Sequence, residues 1–164
     1  MKTALFPGSF DPVTNGHLDI VSRARAIFDR VIVGVAMNDD KSALFSIEER
    51  KEFLNAVYGG KDGIVVESFT GLLLNARRDF KATAVVRGLR AISDFEYEFQ
   101  MAMMNRELDK EFETVFLMAS PDYSFVSSRM IKQIVMLGGD VAMFVPKIVA
   151  QALEEKRKNR KIEE

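Results

Sequence analysis

The stretch Phe6-Pro7-Gly8-Ser9-Phe10-Asp11-Pro12-Val13-Thr14-Asn15-Gly16-His17 decides the fold. It follows the apolar run Thr3-Ala4-Leu5-Phe6, which predicts a buried strand, and it precedes a helical pattern. Two glycines and two prolines within this stretch predict a tight connection. Helix N-termini have free N–H groups and accept phosphate, so His17 in the first turn can donate to the same anion. Turns of this kind also occur without a ligand, and that structural interpretation stays open.

The composition predicts one soluble domain over residues 1–164, because the chain is long enough for a core and is 48% hydrophobic. Its net charge of −1 favours neither a nucleic-acid surface nor a membrane surface. The absence of cysteine excludes disulfides and thiolate metal sites. No apolar run approaches the ~20 residues of a membrane span, and no secretory signal is expected. We therefore expect a cytoplasmic protein.

Apolar β-branched runs alternate with helical patterns along the whole chain. The runs predict strands at 3–6, 31–36, 64–67, 84–87 and 114–118. Helices are predicted at 15–29, 46–58, 72–78, 93–108, 125–137 and 147–157. Capping boxes at Ser46–Glu49 and Ser93–Glu96 are predicted to begin two of these helices. The charged tail 156–161 is expected to be a solvated, fraying end of the C-terminal helix.

This alternation predicts an α/β, doubly wound, Rossmann-like domain with a five-stranded parallel sheet of order 3-2-1-4-5. That order reverses direction between strands 1 and 4. Ligands bind at the carboxyl ends of strands beside such a reversal. We therefore expect the loop after strand 1 to face the loop after strand 4.

The loop after strand 4 is Arg87-Gly88-Leu89-Arg90, which places two guanidiniums where a ligand is expected. Arginine matches phosphate oxygens and stays charged, so the pair predicts an anion site. The alternative is a surface pair that balances Asp94 and Glu96.

Two other segments offer further anion contacts. Lys41 lies beyond strand 2 and can reach a phosphate, although a loop lysine is often only solvent-facing. Ser127, Ser128 and Arg129 lie near the start of the helix after strand 5, where hydroxyls and free N–H groups can bind an anion. Ordinary capping by serine explains the same pattern.

Thr14-Asn15-Gly16-His17 resembles the Thr/His-x-Gly-His signature of the nucleotidyltransferase superfamily. Together with the preceding residues 7–12 it resembles the bacterial phosphopantetheine adenylyltransferase family. Three further blocks are similar to that family and lie in the same order, at 44–50, 87–98 and 123–128. The resemblance covers nearly the whole chain.

The resemblance implies adenylyl transfer from ATP to 4′-phosphopantetheine, giving dephospho-coenzyme A and pyrophosphate. It implies a cytoplasmic, Mg²⁺-using homohexamer. His17, Lys41 and Arg90 would be the catalytic residues. The implied phosphopantetheine contacts are Ser9, Lys41, Leu73 and Arg87. The implied ATP contacts are Ser9, Phe10, His17, Gly88, Leu89, Arg90, Glu98, Tyr123, Ser124, Phe125, Val126, Ser127, Ser128 and Arg129.

Two positions depart from the family pattern. Ser9 stands where many members have threonine, which keeps the hydroxyl and loses a methyl group. Arg129 stands where a small hydroxyl residue is frequent, so one hydrogen bond is replaced by a cation beside the triphosphate. The Met-rich segment 101–104, with Phe95 and Phe99, is expected to be core or a subunit interface.

Other functions remain open from the residues alone. A related nucleotidyltransferase with another acceptor, such as a nicotinamide mononucleotide or cytidylyl enzyme, shares the first motif. A non-catalytic nucleotide-binding oligomer is a second alternative. An RNA-binding fragment of a tRNA synthetase is disfavoured by the balanced charge.

Overall fold

The computed structural model describes residues 1–37 and 43–163, and within these ranges five strands alternate with helices. The strands are β1 (Thr3–Gly8), β2 (Arg30–Ala36), β3 (Ile64–Phe69), β4 (Ala84–Leu89) and β5 (Thr114–Met118). The helices are α1 (Asn15–Ile27), α2 (Ile47–Tyr58), α3 (Leu73–Asp79), α4 (Ile92–Leu108), α5 (Ser128–Met136) and α6 (Lys147–Glu163).

The strands form one parallel sheet of order β3-β2-β1-β4-β5, which confirms the predicted fold class and topology. Phe6 of β1 is in register with Val33 of β2, and Leu5 is in register with Val85 of β4. The direction of winding thus reverses between β1 and β4, and the carboxyl ends of these two strands lie side by side.

Successive side chains of each central strand enter two different cores, as expected for a sheet covered on both faces. In β1, Ala4 and Phe6 join the larger core, whereas Leu5 joins the smaller one. The larger core receives residues from α1, α2, α5 and α6. The smaller core contains Leu74 of α3. The sheet is therefore a rigid platform for the loops at its carboxyl edge.

Several helix ends differ from the sequence predictions, among them the end of α1, which lies at Ile27 and not at 29. The N-cap of α4 is Ala91, without a side-chain cap, so the Ser93 capping box is wrong. Helix α5 begins at Ser128, three residues later than predicted, after the N-cap Ser127. Helix α6 continues to Glu163 instead of fraying within the charged tail. The Ser46 capping box is confirmed, because its hydroxyl accepts from the Glu49 N–H at 3.1 Å.

Helix α4 leaves much of its apolar surface exposed. Phe95 packs edge-on against Phe116 of β5, with ring centroids 6.0 Å apart, which places α4 over the sheet. Even so, many large hydrophobic side chains of α4 are more than 40% exposed, among them Phe95, Phe99, Met101, Met103, Met104 and Leu108. These residues are therefore not core residues of this chain, and an interface remains the other predicted role. No helix in the described ranges combines the length and apolarity needed to cross a membrane.

Candidate active site

The loops after β1 and β4 meet, as the topology predicts. Arg87 of β4 donates from Nη1 to the carbonyl oxygen of Pro7 in β1 at 3.1 Å. The two loops border one cavity of about 560 Å³ at the carboxyl edge of the sheet. The reversal of strand order therefore produces the crevice in which a ligand was expected.

This cavity brings together most of the residues predicted to bind substrate. Its lining includes Ser9, His17, Arg87, Gly88, Arg90, Glu98, Tyr123, Val126, Ser127, Ser128 and Arg129. It also includes Thr14, Asp94 and Tyr97, to which the sequence analysis gave no role in binding. The guanidiniums of Arg87, Arg90 and Arg129 border the same space, so the cavity suits an extended anion.

His17 is fixed in one orientation and one tautomer by its own helix. It is the third residue of α1, and the backbone N–H of the N-cap Thr14 donates to His17 Nδ1 at 3.0 Å. Because Nδ1 accepts a hydrogen bond, the proton of the neutral ring is on Nε2. The Phe10 ring packs edge-on against the imidazole at 5.1 Å between centroids. The side chain is thus a preorganised N–H donor.

The pKa of His17 is lowered from its ordinary 6.5 to about 4, first by burial and then by the positive charges of Arg90 and Arg87. Burial penalises the charged imidazolium, and two nearby guanidiniums add to this penalty. His17 is therefore neutral near pH 7 and donates from Nε2 without carrying a charge.

We expect this shift to make the folded protein less stable as the pH falls from about 6.5 to about 4. In this window the unfolded chain binds a proton on His17 more readily than the folded protein does. The extra loss should reach at most about 1.4 kcal/mol per pH unit. Chemical denaturation of the protein and of His17→Gln, which cannot titrate there, measures it. Parallel pH profiles for the two proteins would contradict the lowered pKa.

Phe10 supports the site from behind. Its backbone is in the left-handed region, with φ of 48°, and its side chain is 1% exposed. A Cβ on Gly8 would lie 3.0 Å from the Phe10 ring, so any larger residue at position 8 would displace this ring by a few tenths of an ångström. The ring therefore packs between the loop and His17, and it does not line the cavity.

The strand β4 includes Arg87, Gly88 and Leu89, which the sequence predicted as a loop, and Arg90 follows directly after it. Both arginines pair with carboxylates of α4. Arg87 Nε donates to Glu98 Oε2 at 2.7 Å, and its Nη2 contacts Glu98 Oε1. Arg90 Nε donates to Asp94 Oδ2 at 3.0 Å. Of the two carboxylates predicted to balance this arginine pair, Asp94 does so, whereas the other partner is Glu98 and not Glu96. Each guanidinium has five N–H donors, so both keep donors for a phosphate.

The start of α5 is capped by a serine and also borders the cavity. Ser127 accepts from the Met130 N–H at 3.1 Å, so this hydroxyl caps the helix. The Ser128 hydroxyl donates to the Pro12 carbonyl at 2.7 Å and ties α5 to the β1–α1 loop. Ser127, Ser128 and Arg129 all line the cavity, and the first N–H groups of a helix have no partner within the helix. Capping by serine is therefore confirmed, and binding of an anion at this helix start stays a prediction.

The remaining predicted contacts among the described residues lie outside the main cavity. Leu73 lines an adjoining cavity of about 180 Å³, which shares Arg87 and Glu98 with the first one. Phe10 and Leu89 are buried, and Phe125 is 56% exposed and packs on the Phe144 ring. Ser124 donates to the Pro121 carbonyl at 3.1 Å. Lys41 lies outside the described residues.

Known proteins are similar to this chain along nearly its whole length. The cytidylyltransferase-like family model matches residues 5–134. Phosphopantetheine adenylyltransferase of Moorella thermoacetica is 54% identical over 93% of this chain and 96% of its own length. The enzyme of the same name from Desulfosudis oleivorans is 51% identical over 95% of this chain and 93% of its own.

A solved structure from Vibrio parahaemolyticus, assigned as a nicotinate-nucleotide adenylyltransferase, has the same fold. It superposes with a TM-score of 0.68 over 96% of this chain and 95% of that one. Its sequence identity is 16%, so this likeness concerns the fold alone.

Proposed function

The chain belongs to the phosphopantetheine adenylyltransferase family, and from this premise we propose how its residues transfer the adenylyl group of ATP to 4′-phosphopantetheine. The products are dephospho-coenzyme A and pyrophosphate. One observation carries the assignment of roles: the turn bearing His17 and the turn bearing Arg87 and Arg90 line a single cavity. A cleft that must hold two anions close together needs hydrogen-bond donors or cations on both sides, and the two turns supply a neutral N–H donor and two guanidiniums.

The acceptor phosphate is itself the nucleophile. One of its oxygens forms a bond to the α-phosphorus of ATP while the bond from that phosphorus to the pyrophosphate oxygen breaks. No protein nucleophile is needed, so catalysis consists of positioning and charge stabilisation. His17 Nε2–H donates to a non-bridging α-phosphate oxygen, on which negative charge grows in the transition state.

The leaving pyrophosphate lies between Arg90 and the first turn of α5. Arg90 Nη1 contacts the Val126 carbonyl at 3.4 Å, which holds this guanidinium near the start of the helix. The backbone N–H groups after Ser127 and the Arg129 cation supply the other positive contacts. Arg129 thus replaces the hydroxyl that is frequent at this position in the family.

The acceptor occupies the opposite side of the cavity. Arg87 binds its phosphate, Ser9 lies near it, and Lys41 supplies a second cation by resemblance to the family. The pantetheine arm lies in the adjoining 180 Å³ cavity, which contains Leu73, Met101 and Asn105. Arg87 lines both cavities. This position suits a residue that binds the phosphate group at the end of the pantetheine arm.

Mg²⁺ is held mainly by the ATP phosphates and water. Within the described residues, no group of three or more His, Asp and Glu side chains could hold a metal ion. The two cavity carboxylates, Asp94 and Glu98, already pair with Arg90 and Arg87. This arrangement fits a cation carried in by the nucleotide. When bound, Mg²⁺ neutralises phosphate charge.

The exposed apolar face of α4 supports a homo-oligomer, and we extend the proposal to a hexamer in the cytoplasm. Patches of exposed Met and Phe on one helix often mark protein interfaces. The solution mass from light scattering tests this, and a monomer at assay concentration would contradict it.

The function is tested by pyrophosphate release with ATP and a panel of acceptors. We expect fast release with 4′-phosphopantetheine and release near background with nicotinamide mononucleotide and nicotinate mononucleotide. Replacing ATP by CTP should lower the rate strongly. Tight ATP binding without turnover would favour the non-catalytic nucleotide-binding alternative, and preference for a mononucleotide acceptor would favour the related transferases.

A further inference from the structure

A buried carboxylate lies in the loop between β1 and α1, behind the cavity. Asp11 is 5% exposed, and its oxygens accept hydrogen bonds from three donors. Oδ1 accepts from the Phe45 N–H at 2.9 Å, and Oδ2 accepts from the Leu44 N–H at 3.0 Å and from Lys132 Nζ at 2.6 Å. Asp11 does not line the cavity, so it acts on the site through other residues.

A buried guanidinium completes the same network. Arg50 of α2 is 5% exposed, donates from Nε to the Phe45 carbonyl at 2.8 Å and donates from Nη1 to the Ser9 carbonyl at 3.1 Å. Phe45 is therefore held on its N–H by Asp11 and on its carbonyl by Arg50. Through Arg50, the backbone of Ser9 in the cavity wall is tied to α2.

Lys132 extends the network to the helix that faces the β1–α1 loop across the cavity. It lies on α5, four residues after Ser128, whose hydroxyl donates to the Pro12 carbonyl at 2.7 Å. The loop is therefore attached to α5 at two consecutive residues, by Asp11 through an ion pair and by Pro12 through a hydrogen bond. These attachments set the separation between the His17 turn and the start of α5.

Burying charges is a poor way to add stability, because desolvation offsets most of the attraction between them. A fully hydrogen-bonded buried network does, however, hold one geometry. The transferred phosphate contacts groups on both sides of the cavity, and a displacement of about 1 Å can cost on the order of 10²-fold in rate.

We propose that Asp11 is a positioning residue for adenylyl transfer: by its bonds to the Leu44 and Phe45 N–H groups and to Lys132, it fixes the β1–α1 loop relative to α5, so that His17 and the pyrophosphate-binding helix start keep a productive separation. This inference rests on the roles proposed above for His17 and α5. It predicts a loss in the chemical step and little change in ATP affinity, since no ligand contact is removed.

The test compares Asp11→Asn with Asp109→Asn. Asp109 is a matched control, because it is also buried, accepts from the Glu111 N–H at 3.1 Å and pairs with Arg78 at 3.0 Å, outside both cavities. We expect both variants to unfold at a lower temperature. We expect kcat to fall about 10- to 100-fold only in Asp11→Asn. The dissociation constant of ATP, measured by calorimetry, should stay near the parent value.

A double-mutant cycle with Lys132→Met adds a second readout. Lys132→Met alone should lower kcat, whereas it should add little to Asp11→Asn, because the pair is already broken. The lysine side chain is 26% exposed, so this variant still tests the proposal if Asp11→Asn does not fold. An unchanged kcat in folded Asp11→Asn, or equal losses in the Asp109 control, would overturn the proposal. Failure of the parent protein to form dephospho-coenzyme A would instead contradict the proposed function.

Discussion

Replacing His17 with alanine is expected to lower kcat by about 10²–10³-fold, the usual cost of removing one preorganised donor from a transition state. The affinity for ATP should change by less than about threefold, because the hydrogen bond strengthens only as charge grows on the α-phosphate. Steady-state turnover with saturating substrates and calorimetric titration of ATP measure the two quantities separately.

The expected size of this loss follows from how firmly His17 is held. The Thr14 N–H occupies Nδ1 at 3.0 Å, and the Phe10 ring packs on one side of the imidazole. The neutral ring therefore needs no reorientation before it donates from Nε2. With a pKa of about 4, His17 should not change charge between pH 6 and 9, so any ionisation seen in kcat there belongs to another group or to the substrate.

Two further variants distinguish the loss of the His17 hydrogen-bond donor from damage to the fold. His17→Gln retains an N–H donor in place of Nε2 and should recover part of the rate. Asn15→Ala changes the same turn of α1, where the Asn15 side chain donates to the Met143 carbonyl at 3.0 Å, and it should leave kcat unchanged. Near-normal turnover of His17→Ala would remove His17 from the chemistry.

The sheet could be predicted from the sequence because its signals are local. Continuous β-branched runs such as 31–36 mark strands buried on both faces, and right-handed crossovers leave few possible orders. The position of the crevice followed from that order. Residues about 80 positions apart meet where the turns after β1 and β4 face each other. This contact was therefore predictable from the strand order alone, without any knowledge of side chains.

Helix ends were less predictable because other local contacts and tertiary contacts both compete with the expected capping. Asp94 of the supposed Ser93 capping box hydrogen-bonds to both the backbone N–H and the side chain of Arg90. The charged tail is helical because α6 packs on the rest of the chain: Lys156 pairs with Glu49 at 2.9 Å and lies 5.4 Å from the Phe45 ring. Nothing in the tail itself indicates that contact.

The partners of the site residues were the least predictable part. Glu98 is eleven residues from Arg87, and their pairing depends on where α4 begins after the turn at the end of β4. Asp11, Arg50 and Lys132 come from three separate segments, and their contacts arise only once α2 and α5 pack on the sheet. Sequence patterns identify the cationic groups that can bind phosphate, but they do not identify which carboxylates form ion pairs with those groups.

Arg87→Ala is expected to lower kcat/KM for 4′-phosphopantetheine by about 10²-fold or more, with a much smaller effect on ATP binding. Charge-assisted hydrogen bonds contribute about 1.5–3 kcal/mol each, and a guanidinium can offer two of them to one phosphate. Arg87→Lys keeps the charge and loses the planar fork, so it should recover only part of the loss. Initial rates with either substrate varied at saturation of the other measure these effects.

A matched control lies on α4. Arg106 also pairs with a glutamate, Glu113 at 3.0 Å, but both side chains are more than half exposed and neither lines a cavity. Arg106→Ala should therefore leave both kinetic constants unchanged. An equal loss in Arg106→Ala, or a loss in Arg87→Ala that appears in ATP affinity instead, would contradict the assignment of Arg87 to the acceptor.

The ion pair between Arg87 and Glu98 adds a second expected effect of removing Arg87. The Glu98 side chain is 14% exposed, so removing Arg87 leaves a poorly solvated carboxylate beside the incoming phosphate. Part of the loss in Arg87→Ala should then be repulsion, and this part should disappear in Arg87→Ala/Glu98→Gln. If the double variant recovers none of the rate, the loss in Arg87→Ala comes only from the missing guanidinium. A partial recovery would show that Arg87 neutralises Glu98 and so prevents repulsion between this carboxylate and the acceptor phosphate.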